Sequence, residues 1–367
     1  ICFLGMQSMK KLKELQTRED LALYLTIPLQ KLTYILYKSK PDSYYDTFEI
    51  PKKNGESRQI HAPSGDLKQL QKKLAQRLWD VYREFIEENE IQDNISHAFQ
   101  KGKSIITNAN IHRNKRYVLN LDLKDFFDHF HFGRVRGFFM KNKNFELPVE
   151  IATMIAQLTC YEGKLPQGAP TSPIITNLVC NILDMRLLKI AKKYRVVYTR
   201  YADDMTFSTN DKKFLENQEN FMKSIKKEIE SFGFEINDKK TRLLFCDSRQ
   251  EVTGLVVNKK ISVNREYCKR TRAMADAFYR RGIFEICGEE GSVNQLEGRF
   301  SFINQIDCYN NKNDREQKHT FWTLNARERQ YQKFLFFKYF YANTKPLIVT
   351  EGKTDIVYLR AALKKYY

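Results

Sequence analysis

The stretch VVYTRYADDMTFSTN, residues 196–210, decides how this chain is read. Asp203 and Asp204 stand side by side between short β-branched and aromatic runs of the kind that favour strand. Like charges at a hairpin tip repel, and both stay ionised at neutral pH only if something positive stands beside them. The stretch is either a solvated turn or one wall of a cation site. A third acid, Asp122, ends the strand expected in the mostly apolar run RYVLNLDLKDFF at 116–127. If the two strands are neighbours in one sheet, three carboxylates converge at its end. Hard oxygen ligands of that sort suit magnesium, which keeps some waters and takes phosphate oxygens as its remaining ligands.

Composition agrees with a phosphate-handling protein. The 367 residues suffice for two or three domains, and 42% hydrophobic with 13% aromatic content describes a globular chain. Lys and Arg number 62 against 44 Asp and Glu, a net charge of +18 whose field attracts polyanions, nucleic acid above all. No apolar run is long enough to span a bilayer. Seven scattered cysteines without a CxxC pair argue against a zinc site and a disulfide framework, and for a reducing cytoplasm.

Around the acids the chain alternates short elements. Two short helices are expected within 11–40, one capped by Thr17 with Asp20 three positions on. FEIPKKNGESRQIHAP, 48–63, reads as a hairpin around Asn54-Gly55 carrying Lys52, Lys53 and Arg58. A long amphipathic helix follows, with Leu67, Leu70, Leu74, Leu78, Val81 and Phe85 on its apolar stripe. LPQGAPTSP, from 165, is a Gly/Pro loop feeding a helix for which Ser172-Pro173 supplies cap and first turn. After the Asp-Asp hairpin come a charged helix at about 215–232, GFEINDKKTRLLF, and a second hairpin at 251–263. Residues 265–343 turn helical and basic, and LIVTEGKTDIVYLRAAL, 347–363, reads strand, loop, helix.

Four of these segments, in this order, resemble the motifs of reverse transcriptases: LNLDLKDFF, LPQGAPTSP, YADD and GFEINDKKT. NANIH at 108–112 and VTG at 252–254 are similar to the two extra signatures of the bacterial retron branch. The resemblance implies an α+β, right-hand polymerase fold with fingers, a palm built on an antiparallel sheet, and a helical thumb. It divides the chain into N-terminal helices and fingers (1–115), a first palm part (116–164), a fingers/palm loop and helix (165–194), and the rest of the palm with a primer-gripping hairpin (195–263). A helical, RNA-binding thumb (264–343) and the start of an α/β TOPRIM-like domain (344–367) follow.

The same resemblance implies roles for single residues. Asp122, Asp203 and Asp204 become the catalytic, metal-holding acids for two magnesium ions, with manganese as a substitute and the Leu123 carbonyl as a further ligand. Lys53, with Lys52 as its competitor, and Arg58 take the incoming triphosphate, for which permanent cations are wanted. Phe127, or its neighbour Phe126, is the aromatic gate against a 2′-hydroxyl. Gln167 and Gly168 lie against nucleotide and template, and Tyr201 and Gly254 beside primer and template. Asn108, His112, Val252, Thr253, Arg270 and Arg272 are implied in RNA binding. A helix-capping Asn, a packed His and a bulged strand are the competing readings of the first four. Glu351 matches the single Glu of TOPRIM folds.

For function, the implied activity is a retron RNA-directed DNA polymerase that copies part of a cognate noncoding RNA. It primes from an RNA 2′-hydroxyl to give branched RNA–DNA (msDNA), in phage defence, with dNTPs as substrates. Another bacterial reverse transcriptase of the group II intron kind, or a nucleic-acid-binding scaffold restraining an effector, are the alternatives.

Overall fold

The computed structural model describes residues 11–51, 55–88, 94–313 and 323–366. Lys52 and Lys53 lie outside them. The chain divides into two compact units, Ile1–Lys260 and Ile261–Tyr367.

The first unit opens with α1 (Arg18–Tyr24) and α2 (Leu29–Thr33). The Thr17 hydroxyl and the Asp20 carboxylate cap α1 reciprocally. The hairpin β1 (Tyr45–Pro51) and β2 (Ser57–Pro63) stands largely exposed, then α3 (Gly65–Glu88) buries Leu67, Leu70, Leu74 and Leu78. Next come α4 (Ile105–Ile111), β3 (Tyr117–Asp122), α5 (Phe132–Lys141), α6 (Val149–Thr159) and α7 (Ser172–Lys193). The hairpin β4 (Val197–Tyr201) and β5 (Asp204–Thr209) leads to α8 (Phe214–Ser231), β6 (Arg242–Phe245) and the small hairpin β7 (Glu251–Val252) and β8 (Leu255–Val256).

One four-stranded antiparallel sheet organises this unit, in the order β4-β5-β3-β6. Strand β3 is apolar almost throughout because both its faces are covered. Asn120 is the exception: its amide donates to the Glu251 carbonyl at 2.8 Å and accepts from the Thr206 hydroxyl at 3.1 Å. Beside the sheet runs α7, buried along most of its length and therefore apolar on nearly every side. Its N-cap position is Thr171 rather than Ser172, whose hydroxyl instead donates to the Pro166 carbonyl at 2.7 Å and closes the preceding loop.

The second unit contains α9 (Arg265–Arg281), a two-residue hairpin of β9 (Glu285–Ile286) and β10 (Glu289–Glu290), α10 (Val293–Asn313), α11 (Ala326–Phe336) and α12 (Lys353–Tyr366). Its core gathers Ala275, Phe278, Phe284, Leu296, Phe300 and Phe334. The strand expected at 347–350 does not form, and α12 buries none of its residues. A single apolar segment with no neighbouring strand has nothing to satisfy its ladder of hydrogen bonds.

Candidate active site

The meeting of the three acids follows from strand register. Asp122 at the end of β3 is the pairing partner of Asp204 at the start of β5, and Asp204 pairs on its other side with Tyr201. Asp203 sits in the turn, its carbonyl accepting from the Leu123 amide at 3.1 Å. Ala202 takes the left-handed conformation, φ 57°, that tightens this turn. The three acids thus come to one sheet end although 81 positions separate the first from the second.

Their electrostatics are those of crowded carboxylates. Burial raises the Asp203 pKa, helped by Asp122, while Lys240 and Arg58 pull it down. Asp204 keeps an open side to solvent, yet the surrounding protein and then Asp203 and Asp122 push it up to about 7. Lys240 is the cation on the spot: its Nζ donates to both Asp122 oxygens, at 2.9 and 3.1 Å, and this contact raises its own pKa. Antiparallel pairing of Leu123 with Ile236, flanked by the Asn237 amide on the Asp122 carbonyl at 2.8 Å, brings the Lys240 segment there. Among the described residues no group of three or more His, Cys, Asp or Glu side chains forms a finished metal cage. Asp122 is engaged by Lys240, and a magnesium site of this type draws only one or two carboxylates from the protein and the remainder from substrate and water. Mutually repelling carboxylates with an open side fit such an ion.

Beneath the turn lies a pair that sequence reading passed over. Arg200 and Asp184 are 1% and 2% exposed and form a two-pronged ion pair, with Nε–Oδ1 2.9 Å and Nη2–Oδ2 2.8 Å. The Tyr198 hydroxyl adds a bond to Asp184 at 2.8 Å, and Arg200 Nη1 reaches the Ala202 carbonyl at 3.2 Å. The guanidinium therefore ties the Asp203–Asp204 turn to α7.

The two aromatic candidates separate cleanly. Phe126 is 4% exposed and stacks on Phe234 with centroids 5.6 Å apart, so it is core, whereas Phe127 is only partly buried. Arg58 is exposed on β2, in electrostatic reach of Asp203. The carbonyl of Gln167 accepts from the His61 amide at 2.8 Å. Gly168 has an internal reason to be glycine, beside the expected approach of nucleotide or template. Its φ is +118°, and an added Cβ would meet Ile60 Cγ2 at 2.7 Å and the His61 carbonyl oxygen at 3.0 Å.

In the two signature segments, three of the residues implied in RNA binding are buried. His112 is fully buried, its ring nitrogens 2.7 Å from the hydroxyls of Ser208 and Thr199, and burial drives its pKa down to about 3. Asn108 is 1% exposed and accepts from the Thr199 hydroxyl at 2.6 Å. Val252 is equally enclosed. These three side chains hold α4 and the small hairpin within the sheet's packing, which favours the packing readings of Asn108 and His112. Between β7 and β8, Thr253 (φ 47°) and Gly254 (φ 80°) make a two-residue turn with both positions left-handed, not a bulge. The Thr253 hydroxyl donates to the Ile105 carbonyl at 3.3 Å, joining VTG to the helix that carries NANIH. In the second unit Arg270 and Arg272 are exposed on α9, Arg270 paired with Glu266 at 3.1 Å. Glu351 is exposed just before α12.

Comparison with known proteins identifies the family. The reverse transcriptase (RNA-dependent DNA polymerase) family model matches residues 50–270. Retron Ec86 reverse transcriptase of Escherichia coli is 33% identical over 291 residues, 78% of this chain and 84% of that protein. Retron Mx162 reverse transcriptase of Myxococcus xanthus is 32% identical, over 81% of this chain and 65% of that longer protein. Among solved structures, apo telomerase from Candida tropicalis aligns over 82% of this chain and 62% of its own, at 12% identity and a TM-score of 0.45. The chain belongs to the reverse transcriptases, RNA-dependent DNA polymerases, and among them to the retron enzymes.

Proposed function

We propose that this polymerase reverse-transcribes part of a cognate structured noncoding RNA, starting from an RNA 2′-hydroxyl and leaving a branched RNA–DNA product. The observation that carries the catalytic part is the register pairing of Asp122 with Asp204 beside Asp203. Two divalent cations, magnesium first, are the implied cofactor, and they supply the charge that lowers the hydroxyl's pKa and steadies the leaving pyrophosphate. Asp122, Asp203 and Asp204 hold them, with the Leu123 carbonyl adjacent. Lys240, donating to both Asp122 oxygens, holds that carboxylate oriented until substrate arrives. Arg58, with Lys53, receives the triphosphate of a dNTP. Phe127 lies under the sugar, Gln167 and Gly168 border the nucleotide, and Tyr201 and Gly254 border the primer–template.

The exposed arginines of α9, Arg270 and Arg272, belong in this reading to a thumb that follows the RNA by shape and phosphate. Two further parts rest on resemblance alone: a TOPRIM effector beginning near Glu351, and a place in phage defence. No described helix is long and apolar enough to cross a membrane.

The test is the nucleic acid that copurifies from the native operon. RNase and debranching treatment of wild-type material should leave a short discrete DNA that changes mobility on debranching. That DNA should vanish in Asp203→Asn/Asp204→Asn. Heterogeneous RNA without attached DNA would sink the branched-product reading, and primer extension by the double variant would sink the catalytic assignment.

A further inference from the structure

Helices α9, α10 and α11 and the segment before α9 enclose a cavity of about 270 Å³. Its inner wall is apolar and buried: Val263, Phe300 and Ile303 are 5%, 3% and 6% exposed. Three arginines complete it, Arg265 and Arg272 from the exposed side of α9 and Arg327 from the start of α11. Arg327 is held by Asp307 and by the Ser262 hydroxyl, 3.1 Å from Nη1, so its guanidinium plane is fixed. Arg265 and Arg272 form no ion pair among the described residues. Elsewhere on α9, Arg270 and Arg280 are each neutralised by an acid one turn earlier, at 3.1 Å. Two unneutralised cations are thus concentrated at the mouth of an apolar slot.

That combination has a recognisable chemistry. A flat apolar body enters, guanidinium planes stack on it or fork to its edge, and the paired-off charge left over is negative. The volume lies just under the roughly 300–1,000 Å³ of sites for drug-sized ligands, so the occupant is about the size of one base. Unstacked RNA bases are recognised in this manner, on aromatic rings and arginine planes. We infer that the cavity receives one unpaired nucleotide of an RNA strand, base inward against Phe300 and phosphate on Arg265 and Arg272. The inference rests on the reading of the chain as an RNA-handling polymerase and deepens it: the second unit would read a single extruded base rather than only the shape of a duplex.

Cys268 lines the cavity and is partly exposed, which gives a local reporter; Cys246, exposed in the other unit, is an internal control. Alkylation of each thiol in the full chain is followed by peptide mass spectrometry with each of the four ribonucleoside monophosphates, or with inorganic phosphate alone. The inference expects at least one monophosphate to slow Cys268 several-fold, with Cys246 unaffected and phosphate much weaker. Protection should be lost in Ala326→Phe, which fills the slot, and weakened in Arg265→Gln/Arg272→Gln, whose exposed positions leave folding intact. Absence of protection by all four, equal protection by phosphate, or protection unchanged in the Arg265→Gln/Arg272→Gln protein would overturn it. Alkylation needs no polymerisation, so wild-type extension of oligo(dT) on poly(rA) reports separately on the polymerase reading.

Discussion

Replacing Arg200 by Met isolates the tie beneath the catalytic turn. The change removes both prongs to Asp184 and the bond to the Ala202 carbonyl, and leaves Asp184 buried with the Tyr198 hydroxyl as its remaining strong donor. Burial alone disfavours the Arg200 charge, but Asp184 outweighs it and raises the pKa. Breaking one side of such a pair costs about 3–5 kcal/mol, because the partner's charge stays behind without compensation. Against a domain stability of roughly 5–15 kcal/mol, that lowers the melting temperature by on the order of 10 °C. Arg200→Met/Asp184→Leu, which removes both charges, should recover part of the loss. In the fraction that stays folded, kcat for dNTP incorporation should fall while KM changes little, since the turn carrying Asp203 loses its donor but the triphosphate contacts remain. Urea unfolding and steady-state primer extension measure the two effects. A single variant within about 1 kcal/mol of wild type, the range of an exposed pair, would refute the reasoning.

His112 carries the pH prediction. With its pKa near 3 in the fold against about 6.5 unfolded, the unfolded chain alone binds a proton between those values, so stability rises with pH across that window. Going from pH 7 to pH 5 should cost about 2 kcal/mol through this residue; urea unfolding of His112→Gln should show a correspondingly shallower slope, and parallel slopes would show that His112 is not held neutral. For sugar selection, Phe127→Val should raise ribonucleotide incorporation by at least about tenfold in single-nucleotide extension, whereas Phe126→Val should mainly lower stability, by about 1–3 kcal/mol. Relaxed selection in the Phe126 variant alone would reverse the assignment.

The acids and their strands were legible because alternating and apolar runs report strand directly and a strand's end fixes where its last side chain lies. The caps and stripes of α1 and α3 were legible for the same local reasons. Sequence could name GFEINDKKT but not choose Lys240 over Lys239, since that depends on the Leu123–Ile236 pairing across the sheet. Nor could it see Arg200 and Asp184 meet, because nothing local distinguishes a charge that will be buried from one on the surface. Asn108 and His112 show the converse. Polar residues in a short signature look like surface ligands until the hydroxyls of Thr199 and Ser208 are seen beside both His112 ring nitrogens and the Asn108 carbonyl oxygen.

The contact at Gly168 has a mechanical side. With Ile60 and His61 too close to admit even a methyl group, and the His61 amide bonded to the Gln167 carbonyl, β2 and the loop before α7 behave as one lever. Whatever tilts the exposed hairpin carrying Arg58 must drag that loop with it. Under the proposed roles of Arg58 and Gly168, grip on the triphosphate and the seat of the templating base would then shift together.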